Sequence, residues 1–501
     1  MKHIILLNLF LILSILSTAQ IVSIPDVNLK SALIPICDLN GDLEISHSEA
    51  QTLTTLSLNN LGIADMTGIE AFTYLISLEC NQNLIDTLPL STITLIKSLH
   101  CSQNLLSSLN LASNLNLETL DCSYNEITSL DLSLNVLLES LHCRDNLLMN
   151  INLTGCTMLR DLYCQYNLLT NLDLSSCNHL DLLDFQHNDL GSIDLSSNSL
   201  ISVLVCSNND LLSLSVSSIN SLKGLHCAHN RIATLDLFSC DSLSNVTAGH
   251  NELTSIILNP GLVSLSCPAN QLSLIDVNLC YRLDWLDCSS NFLSTVNVTN
   301  NEFLGYLDCD DNDLSSLDVT NNIFLETLLC RGNEITDLDL SENANLVSLY
   351  VGTENIGFNP IVAIDIAKNV FLENIVLGAM PSLTEICVWT LPFPTSSVFY
   401  LDTAGSHNAY FTDLCLLEAN NQLEESSDLM LYPNPTYDLI YFPQSVGENS
   451  LVRIFDMEGK LVYERNHLYR KSVSMKSLSP GLYFLELINS NTVFSSMVVK
   501  L

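Results

Sequence analysis

Residues Leu138–Met158 read L-E-S-L-H-C-R-D-N-L-L-M-N-I-N-L-T-G-C-T-M, and this spelling returns down most of the chain. Cys80, Cys101, Cys122, Cys143 and Cys164 stand 21 residues apart (101 − 80 = 21); Phe185 fills the next slot, followed by Cys206, Cys227 and Ala248. One short step (267 − 248 = 19) leads to Cys267, after which Cys288, Cys309 and Cys330 resume the spacing. Three residues after each slot comes an asparagine, from Asn83 and Asn104 through Asn146 to Asn312 and Asn333. The consensus is L-x-x-L-x-C-x-x-N-x-L-x-x-L-D-L-S-x-N-x-x. In L-x-C, alternate residues of a short extended segment point the same way, so leucine and cysteine fill a core and the residue between them faces water. Stacked at about 4.8 Å, thirteen such turns predict a parallel sheet roughly 60 Å long. The asparagine falls where the strand bends away, and its amide can donate to and accept from backbone groups that the turn would bury unpaired. Leu130-Asp131-Leu132 and Leu172-Asp173-Leu174 alternate again, which predicts a second extended segment on the opposite side.

A fixed period of 21 with this order of leucines and asparagine resembles the leucine-rich repeat, in a class common in secreted bacterial proteins. The resemblance covers roughly two thirds of the chain and implies a solenoid over residues 53–378, with a degenerate first repeat (Leu56, Leu58, Leu61, Ile63). The expected fold is therefore a β-rich solenoid of parallel sheet with little helix, a small helical N-terminal cap and a C-terminal antiparallel β-sandwich. Val351 and Glu354 break the pattern, and residues 379–417 are expected to cap the open end, because terminal repeats must cover an exposed core.

Residues 1–19 have the form of a secretory signal peptide: Lys2 and His3, an apolar run from Ile4 to Leu16, then Ser17-Thr18-Ala19 as a small-residue cleavage site. The run is too short to span a bilayer, and no later stretch is continuously apolar, so the chain is not expected to be an integral membrane protein. Residues 20–52 resemble the N-terminal cap of such repeats. Val27–Ile36 has helical periodicity, and the segment after it resembles a calcium loop, offering oxygens from Asp38, Asn40, Asp42, Glu44, Ser46 and Glu49 at its ligating positions. Leu43 stands where that loop has glycine. Calcium would stabilise the end of the solenoid here and carry no chemistry.

Residues 418–427 form a polar linker, and beyond them the composition changes. Residues 20–427 hold 9 Lys+Arg against 48 Asp+Glu, a net of 9 − 48 = −39, while residues 428–501 hold 7 of each. Short alternating strands at Leu429–Tyr432, Leu439–Phe442, Leu451–Asp456, Lys460–Glu464, Leu482–Ile488 and Phe494–Leu501 predict the β-sandwich. This tail resembles the type A C-terminal sorting domain of the type IX secretion system, through Tyr432-Pro433-Asn434-Pro435, Asp456-Met457-Glu458-Gly459-Lys460, Pro480-Gly481-Leu482-Tyr483 and Val498-Val499-Lys500-Leu501. The resemblance implies recognition of residues 428–501 by that machinery, passage across both membranes, and a secreted or cell-surface location.

Eighteen cysteines in an exported chain suggest disulfides. The ladder cysteines argue otherwise, since their slots point into a core where Phe185 and Ala248 replace them. Cys156, Cys177, Cys240 and Cys280 share a second column with Asn135, Asn198, Asn301 and Asn343 and read as interchangeable turn fillers. Cys387 and Cys415 have no ladder partners and bracket the expected cap, so they are the candidate disulfide.

The outward positions of the sheet and its adjoining turn gather rings: Tyr124, His142, Tyr163, Tyr166, His187, His226, His229, His250, Trp285 and Tyr306. Aromatic and polar groups on an extended rigid surface suit recognition of an extracellular protein or glycan. His226, His229 and His250 share neighbouring columns, but no acid stands at a spacing that would orient a metal site. Asp310-Asp311-Asn312-Asp313 reads as a solvated turn. No nucleophile elbow, phosphate loop, dinucleotide fingerprint or metalloprotease helix is present, so no catalytic residue is assigned. The net charge of −38 excludes nucleic acid as a partner and disfavours an anionic membrane. The function expected is non-catalytic binding, such as adhesion or capture; the alternative is a structural surface or matrix spacer without a specific ligand.

Overall fold

The structure is a computed structural model that describes residues 20–353, 357–391, 393, 400–413, 436, 439–442, 450–457, 460–465, 472–488 and 493–501. The expected signal peptide and linker lie outside these residues. The chain falls into two compact units, divided between Leu243 and Ser244.

The first unit begins with the helical cap. Asp26 caps a helix over Val27–Cys37: its Oδ1 accepts from the Asn28 and Leu29 N–H groups, and its Oδ2 accepts from Ala64 and Asp65. One carboxylate thus starts the helix and ties it to the first repeat. The helix buries Leu29, Leu33 and Cys37, a stripe at four-residue spacing. Three-residue strands follow, from Thr55–Ser57 and Ser77–Glu79 to Val203–Val205 and Gly224–His226. All pair in parallel with their leucines in register, Leu56 on Leu78, Leu99 on Leu120, Leu141 on Leu162, Leu183 on Leu204 and Leu204 on Leu225.

Behind the strands the ladder cysteines are buried as thiols outside any disulfide. Burial pushes the Cys80 and Cys227 thiols up to about 12, because a thiolate there would lose its hydration. The native chain is therefore expected to resist a thiol reagent at pH 8 and to expose sixteen thiols on unfolding without reductant. A fast-reacting native thiol would contradict the packing, and eighteen would remove the disulfide.

The repeat carries two amide ladders. In the first, Asn146 Nδ2 donates to the carbonyls of Cys122, Cys143 and Arg144 at 3.0, 3.2 and 3.2 Å, while its Oδ1 accepts from Ile127 N at 3.0 Å. Asn125 and Asn167 repeat the pattern. The second corrects the reading of the other column as turn filler. Asn135 Nδ2 donates to Leu111 O and Asn114 O at 3.2 and 2.8 Å, and in the next repeat the Cys156 thiol reaches Leu132 O at 3.4 Å. Where cysteine or asparagine stands in this column it brings a donor of similar reach to the equivalent buried carbonyl, while Ile93 and Ile219 fill the column without one. The second extended segment is real at Ser129–Asp131, which pairs with Asn150–Asn152. It is not a strand at Leu172-Asp173-Leu174, although Asp173 Oδ1 accepts from Ser175 N there as Asp131 Oδ1 does from Ser133 N.

In the second unit, strands at Asn245–Thr247, Ser264–Ser266, Trp285–Asp287, Tyr306–Asp308, Thr327–Leu329 and Ser348–Thr353 continue the parallel pattern. In the segment expected to cap the solenoid, residues 379–417, the described residues add further turns. Asn374–Leu377 and Tyr400–Asp402 extend the main sheet, and Ala363–Asp365, Glu385–Cys387 and Tyr410–Thr412 form a parallel sheet of their own. These turns were hidden because their leucine slots move 26 apart (375 − 349 and 401 − 375), with Val351 in place of cysteine.

The tail forms antiparallel sheets: Leu451–Asp456 lies between Leu461–Arg465 and Gly481–Ile488, and the latter pairs with Val493–Lys500. Leu439–Tyr441 pairs with Ser472–Ser474, a strand missed in the sequence because Ser-Val-Ser offers one apolar residue. Ile440, Val452, Ile454, Val473, Leu485, Leu487 and Val498 close its own core. The expected strand at Leu429–Tyr432 and the residues Tyr432–Pro435 and Glu458–Gly459 lie outside the described set. Among the described residues no helix is long and apolar enough to cross a membrane.

Candidate binding face

Strand register places the sequence-predicted rings side by side, because equivalent positions recur at strand spacing. In the first unit His142 and Tyr163 occupy one outward column with ring centroids 4.4 Å apart. Tyr166 and His187 occupy the turn column and stack at 4.2 Å with an 11° tilt. Tyr124 shares that column, and Arg144, which the sequence reading missed, lies over its ring at 5.0 Å. The Asn208 amide reaches His187 Nε2 at 3.3 Å. His226 is half-buried at its strand end, and His229 is exposed. Burial lowers the pKa of His142 and raises those of Asp161, Tyr163 and Asp184. Asp184, an outward position in the alternation, is itself buried and accepts from Gln186 N at 3.1 Å.

The turn column has a backbone property that composition did not reveal. Gln82, Gln103, Tyr124, Asp145, Tyr166, His187, Asn208 and His229 in the first unit all have positive φ, as do His250, Ala269, Ser290, Asp311 and Gly332 in the second. A residue with a Cβ costs about 1 kcal/mol or more in this left-handed region, and glycine or asparagine would cost least. Five of the ten candidate rings, Tyr124, Tyr166, His187, His229 and His250, sit at this strained position. Gly332 and Asn208 in the same column were the available signal.

In the second unit Trp285 and Tyr306 stack face to face, 3.6 Å apart and within 1° of parallel, with Trp285 43% exposed. Asp287 and Asp308 end the same two strands. Tyr306 OH lies 3.5 Å from Asp308 Oδ2. Burial, with Asp310 beside it, raises Asp308 to about 7, and burial likewise pushes the Tyr306 hydroxyl to about 12. Asp310 departs from the solvated turn expected of its run: it is 4% exposed, pairs with Arg331, and accepts from Arg331 Nε at 2.7 Å. The turn folds its carboxylate under the next repeat, where a guanidinium meets it. Arg331 in turn lies over Tyr350 at 5.3 Å. His250 is exposed on its turn.

The six calcium-loop residues do share one loop. Asp38 accepts from the N–H groups of Gly41, Asp42 and Leu43, Asn40 from Asp42, and Asp42 from Glu44. Leu43 takes the positive φ, 63°, that glycine would accept at less cost. Ser46 and Glu49 form a capping box on the short helix His47–Ala50, and Glu49 Oε1 also accepts from Leu39 and Asn40. Those donors, the Ser46 N–H foremost, hold Glu49 below the usual carboxylate range. Lys30 pairs with Glu44 at 2.7 Å. The oxygens are thus present in the right order, but Glu49 would have to release its backbone donors to reach a cation. Among the described residues no group of three or more His, Cys, Asp or Glu side chains is arranged to hold a metal ion. Cys387 is disulfide-bonded, and its expected partner Cys415 lies outside the described residues.

Residues 430–500 match the family model described as a secretion system C-terminal sorting domain. The functional domain of InlJ from Listeria monocytogenes, whose structure includes a cysteine ladder, is 25% identical, with a TM-score of 0.60 over 97% of this chain and 100% of that one. A leucine-rich-repeat protein of Leptospira interrogans is 18% identical over 73% of this chain and 93% of its own, with a TM-score of 0.53. The Arabidopsis receptor kinase HAESA, solved with the peptide hormone IDA and the co-receptor SERK1, is 19% identical over 67% of this chain and 70% of its own, also at 0.53. The latter two likenesses show the fold alone. By sequence, 64 residues are 42% identical to Internalin J of Listeria monocytogenes, a match spanning 13% of this chain and 7% of that protein. The chain is a leucine-rich-repeat solenoid with an internalin-like cysteine ladder, ending in a type IX secretion sorting domain.

Proposed function

We propose that the chain is an exported binding protein, carried out by the type IX machinery through residues 428–501, whose sheet face and adjoining turns recognise an extracellular protein or glycan. The observation that carries this reading is the set of rings held in register, five of them at a backbone conformation that glycine or asparagine would occupy at less cost. The receptor kinase HAESA, solved with a peptide hormone, shares this fold and lends the reading an analogy of fold only. Replacing Tyr163, Trp285 and Tyr306 together by serine is expected to reduce adhesion of the exported chain to its natural surface by about tenfold or more. Export and surface quantity should stay constant, and unchanged adhesion would favour the spacer.

Calcium at the Asp38–Glu49 loop belongs to the same proposal, supported by the order of its oxygens. Calcium is expected to raise the Tm of the full chain, and Asp42→Asn, which keeps an acceptor and removes a charge, should diminish that rise. Equal behaviour of the two chains would remove calcium from the account.

A further inference from the structure

The second unit carries a more specific chemistry, which rests on the sheet-face reading and adds the nature of the partner. Trp285 and Tyr306 share one outward column, and Asp287 and Asp308 share the next, two residues along the same strands. The hydrogen bonds to these carboxylates come from neutral donors: Ser266 Oγ, Ser289 N and Ser289 Oγ for Asp287, and Asp310 N and Tyr306 OH for Asp308. Nearby, the chain displays how this face receives a guanidinium. Arg331 sets its Nε against Asp310 and its Cζ over the Tyr350 ring, so that a carboxylate takes an N–H and a ring lies beside the cation. Asp287 and Asp308 beside Trp285 and Tyr306 offer the same two ingredients, whereas the Arg331 guanidinium is committed to Asp310.

We propose that this face of the second unit receives an arginine- or lysine-rich segment of a partner polypeptide, its cationic heads at Asp287 and Asp308 and its stems along Trp285 and Tyr306. Residues 244–413 hold 3 Lys+Arg against 21 Asp+Glu, a net of 3 − 21 = −18, so the field around the face favours a cationic occupant. The described residues converge on no metal site, which favours charges spread along a chain over one compact ion. Asp308 faces Asp287, Asp310, Arg331 and Tyr306; burial first, then the Asp310 and Asp287 carboxylates, raise it to about 7, while the Asp310 N–H and then Arg331 oppose them. Asp308 is therefore neutral well below pH 7 and charged above it. Attraction for a cation is lost as the pH falls through that value.

The test uses the full chain carrying Trp389→Phe, which leaves Trp285 as the one tryptophan of the two. The probe is a blocked peptide of alternating arginine and glycine, with its citrulline counterpart as the neutral control. The arginine peptide is expected to change Trp285 emission saturably, with an affinity several-fold tighter at pH 8 than at pH 6, and the citrulline peptide to have no effect. Asp287→Asn with Asp308→Asn should weaken binding about tenfold and flatten the pH dependence. Asp318→Asn with Asp339→Asn removes the same charge from exposed turns and should change binding less than about twofold. Equal loss in the two pairs, no loss in either, or equal binding of the citrulline peptide would overturn the inference. If the peptide fails while the serine variant loses adhesion, this inference falls and the sheet-face reading stands; if adhesion is also unaffected, both fall.

Discussion

Asn146→Ala is expected to lower the stability of the solenoid by about 2–3 kcal/mol. Four backbone groups bond to that amide: the Ile127 N–H through it alone, and the carbonyls of Cys122, Cys143 and Arg144, which also accept from Asn125, Asn167 and the Tyr124 N–H. Alanine leaves the Ile127 N–H unpaired in a space that water does not reach, at a cost of about 1–3 kcal/mol, and removes one of the two donors from each carbonyl. The second column supplies the contrast. Asn135 donates twice, but its Oδ1 is buried without a hydrogen-bond partner. Asn135→Cys exchanges that orphaned acceptor for a thiol, as Cys156 does one turn later, and is expected to stay within about 1 kcal/mol of the parent chain. Urea unfolding followed by circular dichroism measures both. Because turns interact with their neighbours, the midpoint and slope of each curve should be compared together. A cost for Asn146→Ala no greater than that for Asn135→Cys would show that the first ladder is not what holds the turn.

Much of this architecture was legible because the repeat spells one turn thirteen times. The leucine–cysteine alternation dictated a parallel stack, and the register of Leu120, Leu141 and Leu162 follows from it. The asparagine three residues on was readable as a hydrogen-bonding turn residue for the same reason. The later turns were not legible as strands, since their slots move 26 apart and Val351 replaces the cysteine. The second ladder was obscured by its own chemistry: cysteine and asparagine in one column look like indifference unless the shared carbonyl acceptor is visible. On the candidate face, the column positions of the rings were predictable, and so is their pairing once the strands stack in parallel. Arg144 and Arg331 were missed because a single cation in a variable column carries no periodic signal. The burial of Asp310 and the raised pKa of Asp308 depend on what the next turn lays over them, which spacing alone does not disclose.

Deleting residues 428–501 is expected to be the most consequential change to function while leaving the solenoid folded. The tail closes a core of its own from Ile440, Val452, Ile454, Leu485 and Val498, and it carries balanced charge beside a preceding chain of net −39. It also matches the sorting-domain family over residues 430–500. Such a segment acts as an address read by a machine, so its loss should change location by far more than the few-fold effect of a destabilised fold. The most direct measurement is to fractionate native-host cells producing the full chain or the chain ending at residue 427, using circular dichroism of the purified proteins to verify that both solenoids are folded. The full chain should appear at the surface or in the medium and the truncated chain should remain in the periplasm, a change of at least about tenfold in the exported fraction. Equal export of both would contradict the division of labour between a sorting tail and a binding solenoid, and would make the tail itself the candidate binding domain.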